Sequence, residues 1–139
     1  MKKILIMGLP GSGKTTLSAE LTKILNAVHF NADEIRKEIN KDLKFSVEDR
    51  IEHARRMGKL CDIVVRANQF AIADFVCPLH ESRKAFGLEN TFVVFIDRTP
   101  IRNFEDTTKL FELPRFSHVT VTNKETPLFW ANKIKKMIV

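Results

Sequence analysis

The segment Gly8-Leu9-Pro10-Gly11-Ser12-Gly13-Lys14-Thr15 matches the pattern G-x-x-x-x-G-K-[ST] at every fixed position. It follows an apolar run, Lys3–Met7, and precedes a stretch of helical periodicity, Leu17–Leu25. A strand, a glycine-rich turn and a helix in this order surround a phosphate with backbone N–H groups at the positive end of the helix. The pattern therefore predicts an α/β fold with a nucleotide site after the first strand.

The expected contacts to the phosphates of ATP come from this loop and the first turn of its helix. Lys14 should reach the β and γ phosphates, and Thr15 should offer its hydroxyl to a Mg²⁺ ion bound with ATP. The full set of expected phosphate-binding residues is Gly8, Gly11, Ser12, Gly13, Lys14, Thr15 and Thr16. A phosphate-binding loop alone does not distinguish kinases from ATPases, GTPases and switches.

Short apolar runs alternate with helical patterns along the rest of the chain. The runs predict further strands at Val28–Phe30, Phe70–Val76, Thr91–Asp97 and His118–Val121. Helices are expected after Asn31-Ala32-Asp33, from Val47 with Ser46 as its cap and Asp49 at the capping-box position, and from Thr126-Pro127 to about Met137. We expect one domain, residues 1–139, with the three-layer α/β/α fold of P-loop NTPases and a parallel sheet of about five strands flanked by helices.

The composition limits the classes of function. Apolar residues make up 44% and charged residues 29% of the chain, as in ordinary globular proteins, and no apolar run approaches membrane-spanning length. The two cysteines, Cys61 and Cys77, have the number and spacing of neither a disulfide framework nor a zinc site. We expect a cytoplasmic protein. The net charge of +6 suits either nucleic acid or a pocket for two phosphate-bearing ligands, and charge alone does not separate these.

Asp33 and Arg36 follow the second predicted strand, and ligands bind at the carboxyl ends of parallel strands. A carboxylate there could accept the proton of an acceptor hydroxyl or hold the water shell of a metal, and an arginine could pair with an anion. They could also be a helix cap and a solvated arginine. Arg50 and His53 lie one turn apart on the long helix, where Arg50 could equally be solvated.

Three segments together carry a resemblance to a known family. They are Asn31-Ala32-Asp33-Glu34-Ile35-Arg36, Asn40-Lys41-Asp42-Leu43-Lys44-Phe45-Ser46-Val47-Glu48-Asp49-Arg50 and His53-Ala54-Arg55-Arg56. With the phosphate-binding loop they resemble adenylylsulfate kinase, which phosphorylates the 3′-hydroxyl of adenosine 5′-phosphosulfate. That family has Asp-Gly-Asp-Asn-x-Arg, Asn-x-Asp-Leu-x-Phe-Ser-x-x-Asp-Arg and Asn-Ile-Arg-Arg. Weaker similarity continues at Phe75–Pro78, Phe92–Asp97 and Arg102-Asn103-Phe104.

The resemblance implies a role for each matching residue. It places Asp33 near the reacting hydroxyl, with Lys14 as the other catalytic residue. It also assigns Arg36 and Arg50 to the phosphosulfate, Phe45 and Phe104 to a sandwich around the substrate adenine, and His53 to the acceptor side. A homodimer is also implied, with ATP and a small anionic nucleotide as ligands and no role for a membrane or nucleic acid.

The sequence departs from the family pattern on the acceptor side. Asn31 stands in place of the family's first Asp, His53 in place of Asn, and Cys77 in place of Ser. The helix and basic lid that the family has after Thr99-Pro100 are almost absent, and Arg98, Arg102, Lys109 and Arg115 could substitute for the lid in part. Two alternatives therefore stay open: a P-loop kinase with another small-molecule or polynucleotide-end acceptor, and an ATP-binding module with little transfer activity. A contact of the ATP adenine with Thr122-Asn123 is expected from topology alone.

Overall fold

A computed structural model describes residues 1–98 and 110–139, and within them five parallel strands form one sheet. The strands are β1 (Lys3–Gly8), β2 (Val28–Asn31), β3 (Ala71–Asp74), β4 (Thr91–Ile96) and β5 (Val119–Val121), in the spatial order β2-β3-β1-β4-β5. The predicted fold class is confirmed, and all five predicted strands are present. The strand predicted over Phe70–Val76 is shorter than expected, because the chain leaves the sheet after Asp74 and turns at Cys77, whose φ is 46°.

Helices connect the strands. They are α1 (Lys14–Leu25), α2 (Ala32–Glu38), α3 (Val47–Arg66), α4 (His80–Phe86) and α5 (Pro127–Ile138). The sequence pattern missed α4, which spans only seven residues and is too short to show an amphipathic period. The hydroxyl of Ser82 closes its first turn, accepting from the Leu79 N–H at 3.0 Å and donating to the Leu79 carbonyl at 2.7 Å. Every helix among the described residues is too short or too polar to cross a membrane.

The cap predicted for α3 is half right. The Ser46 hydroxyl accepts from the Asp49 N–H at 3.1 Å, as expected for an N-cap. The Asp49 carboxylate does not complete a capping box, because it accepts from the Lys44 N–H at 2.9 Å. The aspartate therefore ties the preceding loop to the helix.

The two faces of the sheet are packed by different helices. Along β1, Ile4 and Ile6 belong to the core shared with α1 and α5, whereas Leu5 and Met7 belong to the core shared with α2, α3 and α4. This alternation follows from the two-residue period of a strand. Along α3, Ala54, Gly58 and Cys61 are buried, but Val47 at the start of the helix is 45% exposed.

Close packing between α3 and α4 fixes the position of the long helix. A Cβ atom on Gly58 would lie 2.0 Å from the Phe86 carbonyl oxygen, so only glycine permits this approach. The same carbonyl accepts from Lys3 Nζ at 2.9 Å, and Lys3 forms a salt bridge with Asp62 of α3, also at 2.9 Å. One residue of β1 thus joins both helices.

Gly58→Ala tests this packing because two effects oppose each other. Helix propensity alone would stabilise the alanine variant by about 1 kcal/mol. The clash with the backbone of Phe86 should instead lower the free energy of unfolding by about 1–3 kcal/mol, as measured by denaturant titration. Lys59→Ala, which places alanine on the exposed side of the same helix, is the control and should change stability by less than about 0.5 kcal/mol. A more stable Gly58→Ala protein would contradict the packing.

Candidate functional site

The phosphate-binding loop lies between the end of β1 and the start of α1. Gly13, at φ 101°, is the residue that precedes the helix, and it adopts a left-handed conformation that favours glycine. At Gly8 the constraint is space, because a Cβ would lie 2.8 Å from Ser12 Oγ and 2.9 Å from the Ile96 carbonyl oxygen. The glycines thus permit a tight loop at the positive end of α1.

Lys14 is buried in this loop. Its ammonium group donates to the Leu9 carbonyl at 2.9 Å. Burial lowers the pKa of Lys14 from its ordinary value, and the nearby carboxylates of Asp74 and Asp33 oppose that shift. An ammonium held in a poorly solvated loop interacts strongly with an anion that enters it.

A cavity of about 700 Å³ extends from this loop to α2 and the start of α3. It brings together most of the residues singled out from the sequence. The lining residues are Pro10, Gly11, Gly13, Lys14, Thr15, Thr16, Asn31, Ala32, Asp33, Arg36, Phe45, Arg50, His53, Asp74, Phe75, Val76, Cys77 and Pro78. Gly8 and Ser12 do not line it. The buried Ser12 hydroxyl has no hydrogen-bond partner among the described residues.

Two arginines and one aromatic ring form the wall opposite the loop. The guanidinium carbons of Arg36 and Arg50 lie 4.5 Å and 5.5 Å from the centre of the Phe45 ring. Burial and the charge of Arg50 lower the pKa of Arg36, while Asp33 and Asp49 act in the opposite sense. This wall is therefore strongly positive, as a site for an anion should be.

The loop of residues 40–46 presents Phe45 to the cavity, although the ring is 63% exposed. Its backbone is held from both sides, since Arg36 Nη1 donates to the Lys44 carbonyl at 2.5 Å and Arg50 Nε donates to the Phe45 carbonyl at 2.9 Å. Asp42 accepts two hydrogen bonds from Arg56 of α3, at 2.8 and 2.9 Å. These contacts hold the loop that carries Phe45 against α2 and α3.

Arg55 and Arg56 form ion pairs with an acidic side chain of the same helix. Both donate to the Glu52 carboxylate, at 2.7 to 2.8 Å, and these hydrogen bonds lower the pKa of Glu52 to about 2. Because Arg56 also holds Asp42, it links α3 to the loop that carries Phe45. Arg56 is therefore part of the support of the cavity wall.

His53 lines the cavity, but both of its ring nitrogens are bonded within the protein. Nδ1 lies 2.9 Å from the Asn40 side-chain amide nitrogen, and Nε2 lies 3.2 Å from the Ala32 carbonyl oxygen. The ring must therefore accept from Asn40 and donate to Ala32, which fixes a neutral tautomer. Burial above all, together with the charges of Arg36 and Arg56, lowers its pKa to about 4.

Asp74 is the site residue that sequence reasoning missed. It is only 1% exposed and ends β3 at the carboxyl edge of the sheet. Its Oδ2 atom lies 2.8 Å from His29 Nε2 and accepts from the Asn31 side-chain amide at 3.2 Å. The signal was an acidic residue at the end of an apolar strand, the same criterion that selected Asp33.

The oxygen atoms near the loop suit Mg²⁺. Thr15, Asp33 and Asp74 supply a hydroxyl and two carboxylates on one side of the cavity, and Mg²⁺ prefers oxygen ligands. Within the described residues, no group of three or more His, Cys, Asp or Glu side chains is arranged to hold a metal by itself. This is compatible with Mg²⁺ bound through one or two protein groups and the nucleotide phosphates.

The segment after β3 forms another part of the wall. Arg83 of α4, which is buried, donates to the carbonyls of Cys77, Pro78 and Glu112 at 3.0, 3.4 and 2.5 Å. Burial lowers the pKa of this arginine. Arg83 thus holds the turn at Cys77 against the segment that follows the undescribed residues.

Of the four basic residues that could substitute for part of the lid, the structure describes two, Arg98 and Arg115. Arg98 lies beside the phosphate-binding loop, because a Cβ on Gly13 would be 3.1 Å from its Nη1, and its Nη2 donates to the Thr122 carbonyl at 2.8 Å. Arg115 lines a different cavity, beside Val93 and His118, and does not face the loop. Arg102 and Lys109 lie outside the described residues, and so does Phe104.

The chain matches the family model described as adenylylsulphate kinase over residues 2–120. Among curated proteins, it is 41% identical to the adenylyl-sulfate kinase of Oceanobacillus iheyensis over 81 residues, which are 55% of this chain and 41% of that protein. The chain thus matches less than half the length of that relative.

Solved structures with this fold include several small-molecule kinases. An APS kinase from Mycobacterium tuberculosis in complex with AMPPNP and APS superposes with a TM-score of 0.84 at 19% identity, covering 98% of this chain and 96% of that chain. A shikimate kinase from Aquifex aeolicus gives a TM-score of 0.70 at 18% identity, covering 98% and 95%. At these identities the superpositions establish the fold alone.

The protonation of His53 provides a test of the packing behind the cavity. Its pKa is about 4 in the folded chain against 6.5 for an ordinary histidine, so the unfolded chain binds this proton more tightly. Stability should therefore be complete above about pH 6.5 and fall as the pH drops towards 4, by at most about 3 kcal/mol from this group.

NMR titration of the imidazole resonances measures this directly. We expect His53 to stay neutral at pH 5 with its proton on Nε2. A His53 ring that titrates near pH 6.5 would contradict the arrangement.

Proposed function

Since this chain belongs to the adenylylsulfate kinase family, we propose that it transfers the γ-phosphate of ATP to the 3′-hydroxyl of adenosine 5′-phosphosulfate. The observation that carries the proposal is one shared cavity. The phosphate-binding residues Lys14 and Thr15 line it together with the acceptor-side residues Asp33, Arg36, Phe45 and Arg50. A module that only bound ATP would have no physical need of that second set.

The donor side of the reaction belongs to the phosphate-binding loop. ATP binds with its phosphates within the turn from Gly8 to Thr15, where the backbone amides and the Lys14 ammonium offset their charge. Thr15 would be the protein ligand of a Mg²⁺ ion bound with ATP, and that ion would supply positive charge to offset the negative charge that develops during transfer.

The acceptor side positions the hydroxyl. Asp33, exposed at the first turn of α2, accepts the proton of the 3′-hydroxyl as that oxygen bonds to the γ-phosphorus and the bond from this phosphorus to the oxygen of the leaving ADP breaks. Arg36 and Arg50 pair with the phosphosulfate, and the Phe45 ring stacks on the adenine, with Phe104 as its proposed second face. His53 contributes a neutral ring to the same wall.

Three further expectations stay predictions. Arg98 is the described arginine best placed to add positive charge beside the loop, in place of part of the family's lid. Formation of a homodimer rests on the resemblance, and the cytoplasmic location rests on the composition of the sequence. Sedimentation of the purified chain would decide the first of these two, and fractionation of cells the second.

A coupled assay of ADP release with Mg²⁺ and ATP, with and without adenosine 5′-phosphosulfate, tests the proposal. We expect release that depends on the acceptor, and a 3′-phosphorylated product identified by its mass. Shikimate and a 5′-hydroxyl oligonucleotide are the alternative acceptors to include. ATP binding without any dependence on adenosine 5′-phosphosulfate would contradict the proposal, and a product from one of the others would identify another kinase.

Phe45→Ala tests the recognition of the base. Loss of an aromatic platform costs about 1–3 kcal/mol per base, so KM for the acceptor should rise about tenfold or more while KM for ATP stays unchanged. Phe116→Ala is the matched control, because Phe116 is 64% exposed against 63% for Phe45 but lines the cavity near His118 instead. Equal kinetic changes in both variants would contradict a role of Phe45 in binding the acceptor.

A further inference from the structure

The carboxylate of Asp74 lies where the phosphate-binding loop meets the acceptor side. In the sheet register Asp74 of β3 is paired with Ile6 of β1 on one side and with Asn31 of β2 on the other. It lines the cavity together with Lys14 and Thr15, although its side chain is almost wholly buried. A buried carboxylate is costly unless hydrogen bonds or a cation offset its charge.

The hydrogen bonds of Asp74 satisfy only one of its two oxygens. His29 and the Asn31 amide both contact Oδ2, at 2.8 and 3.2 Å, and no donor from the described residues reaches Oδ1. Attraction to Asp74 opposes the lowering of the Lys14 pKa, so the two groups are near each other. The Lys14 ammonium nevertheless donates its hydrogen bond to the Leu9 carbonyl and not to Asp74. One oxygen of a buried carboxylate is thus left for a ligand.

Asn31 cannot supply that negative charge. Its side-chain oxygen caps α2 by accepting from the Glu34 N–H at 3.0 Å, and its amide nitrogen donates to Asp74 and, at 3.4 Å, to the hydroxyl of Thr15. The resemblance places an aspartate at position 31, where this chain has an amide. The carboxylate of this chain is that of Asp74, on the adjacent strand and in register with Asn31. The amide joins Asp74 to Thr15.

We propose that Asp74 is the carboxylate that holds the nucleotide's Mg²⁺ beside Thr15, through the water shell of the ion, in place of a carboxylate at position 31. His29, which contacts Asp74 Oδ2 at 2.8 Å, orients the carboxylate. The proposal rests on the Mg²⁺ and ATP site of the proposed function but not on the identity of the acceptor. The carboxyl end of β3 is then part of the metal site, together with the carboxyl end of β2.

Asp74→Asn isolates the charge because it keeps the shape of the side chain. Binding of a non-hydrolysable ATP analogue is measured by calorimetry with Mg²⁺ and with EDTA, and binding of Mn²⁺ to the protein–nucleotide complex by electron paramagnetic resonance. We expect the variant to lose about 10- to 100-fold in metal affinity, as for other groups that support a bound metal. Affinity for the analogue in EDTA should be unchanged or higher, because a negative charge near the phosphates is removed.

The exchange variant Asn31→Asp/Asp74→Asn returns the carboxylate to β2. If the charge of the carboxylate is what matters, this variant should bind the metal with an affinity within about threefold of that of the unmodified chain. Loss of a group that supports a bound metal lowers the affinity by at least about tenfold, so the two outcomes are distinguishable. Glu89→Gln removes the same charge from an exposed residue just before β4, at the opposite edge of the sheet, and should change neither affinity.

Two results would overturn the proposal. One is a folded Asp74→Asn protein, with unfolding as cooperative as that of the unmodified chain, that binds Mn²⁺ as before. This would show that Asp74 serves only to balance the charge of Lys14. The other is an exchange variant that folds but gains no metal affinity over Asp74→Asn. Neither measurement contains an acceptor, so a failed kinase assay and a failed Asp74 proposal are distinguishable.

Discussion

The parallel register of β1 between β3 and β4 is the constraint on which the site depends. It places Gly8, the last residue of β1, beside Ile96, and it aligns Ile6 with Asp74. Because β2 pairs with β3 in the same direction, Asn31 arrives at the same edge as Asp74. Four strand endings thus supply the phosphate-binding loop, the buried carboxylate, the start of α2 and Arg98. A slip of one residue in any of these pairings would exchange the faces of the sheet and remove a side chain from the cavity.

A second level of organisation fixes the acceptor side, which lies on helices and a loop. The approach of α3 to α4 at Gly58 sets the long helix against the sheet, and that helix carries Arg50 and Arg56. These two arginines then hold the loop of residues 40–46 through the Phe45 carbonyl and the Asp42 carboxylate. The exposed pairs of Arg55 and Arg56 with Glu52 and Asp42 contribute little to global stability, as is usual for surface ion pairs. Their effect is local, since they restrict the position of Phe45.

Much of this arrangement was predictable from the sequence, and the reasons are specific. The phosphate-binding loop requires glycines at fixed spacing, and the strands next to it are buried on both faces, so both leave a strong pattern. The pattern could not reveal α4, which is held by Ser82 and the buried Arg83 and not by an amphipathic period. Nor could it show that the ring nitrogens of His53 are bonded to Asn40 and Ala32, because these contacts join residues 13 and 21 positions apart. Asp74 was missed because the strand predicted over Phe70–Val76 runs two residues past it, and only the structure shows that β3 ends at Asp74.

Both positively and negatively charged side chains line the cavity. In the proposed reaction Lys14 binds the donor phosphates, and Arg36 and Arg50, which line the same cavity, bind the acceptor anion, so that two negatively charged ligands can approach each other. Cations alone would hold both ligands but would provide neither a base nor an anchor for a metal ion. Asp33 and Asp74 add negative charge between these cations, and both counter the lowering of the Lys14 pKa. The alternation of positive and negative groups therefore favours the charged form of Lys14 in a buried loop, and in the proposed reaction it leaves carboxylates where a proton and a divalent ion would be held.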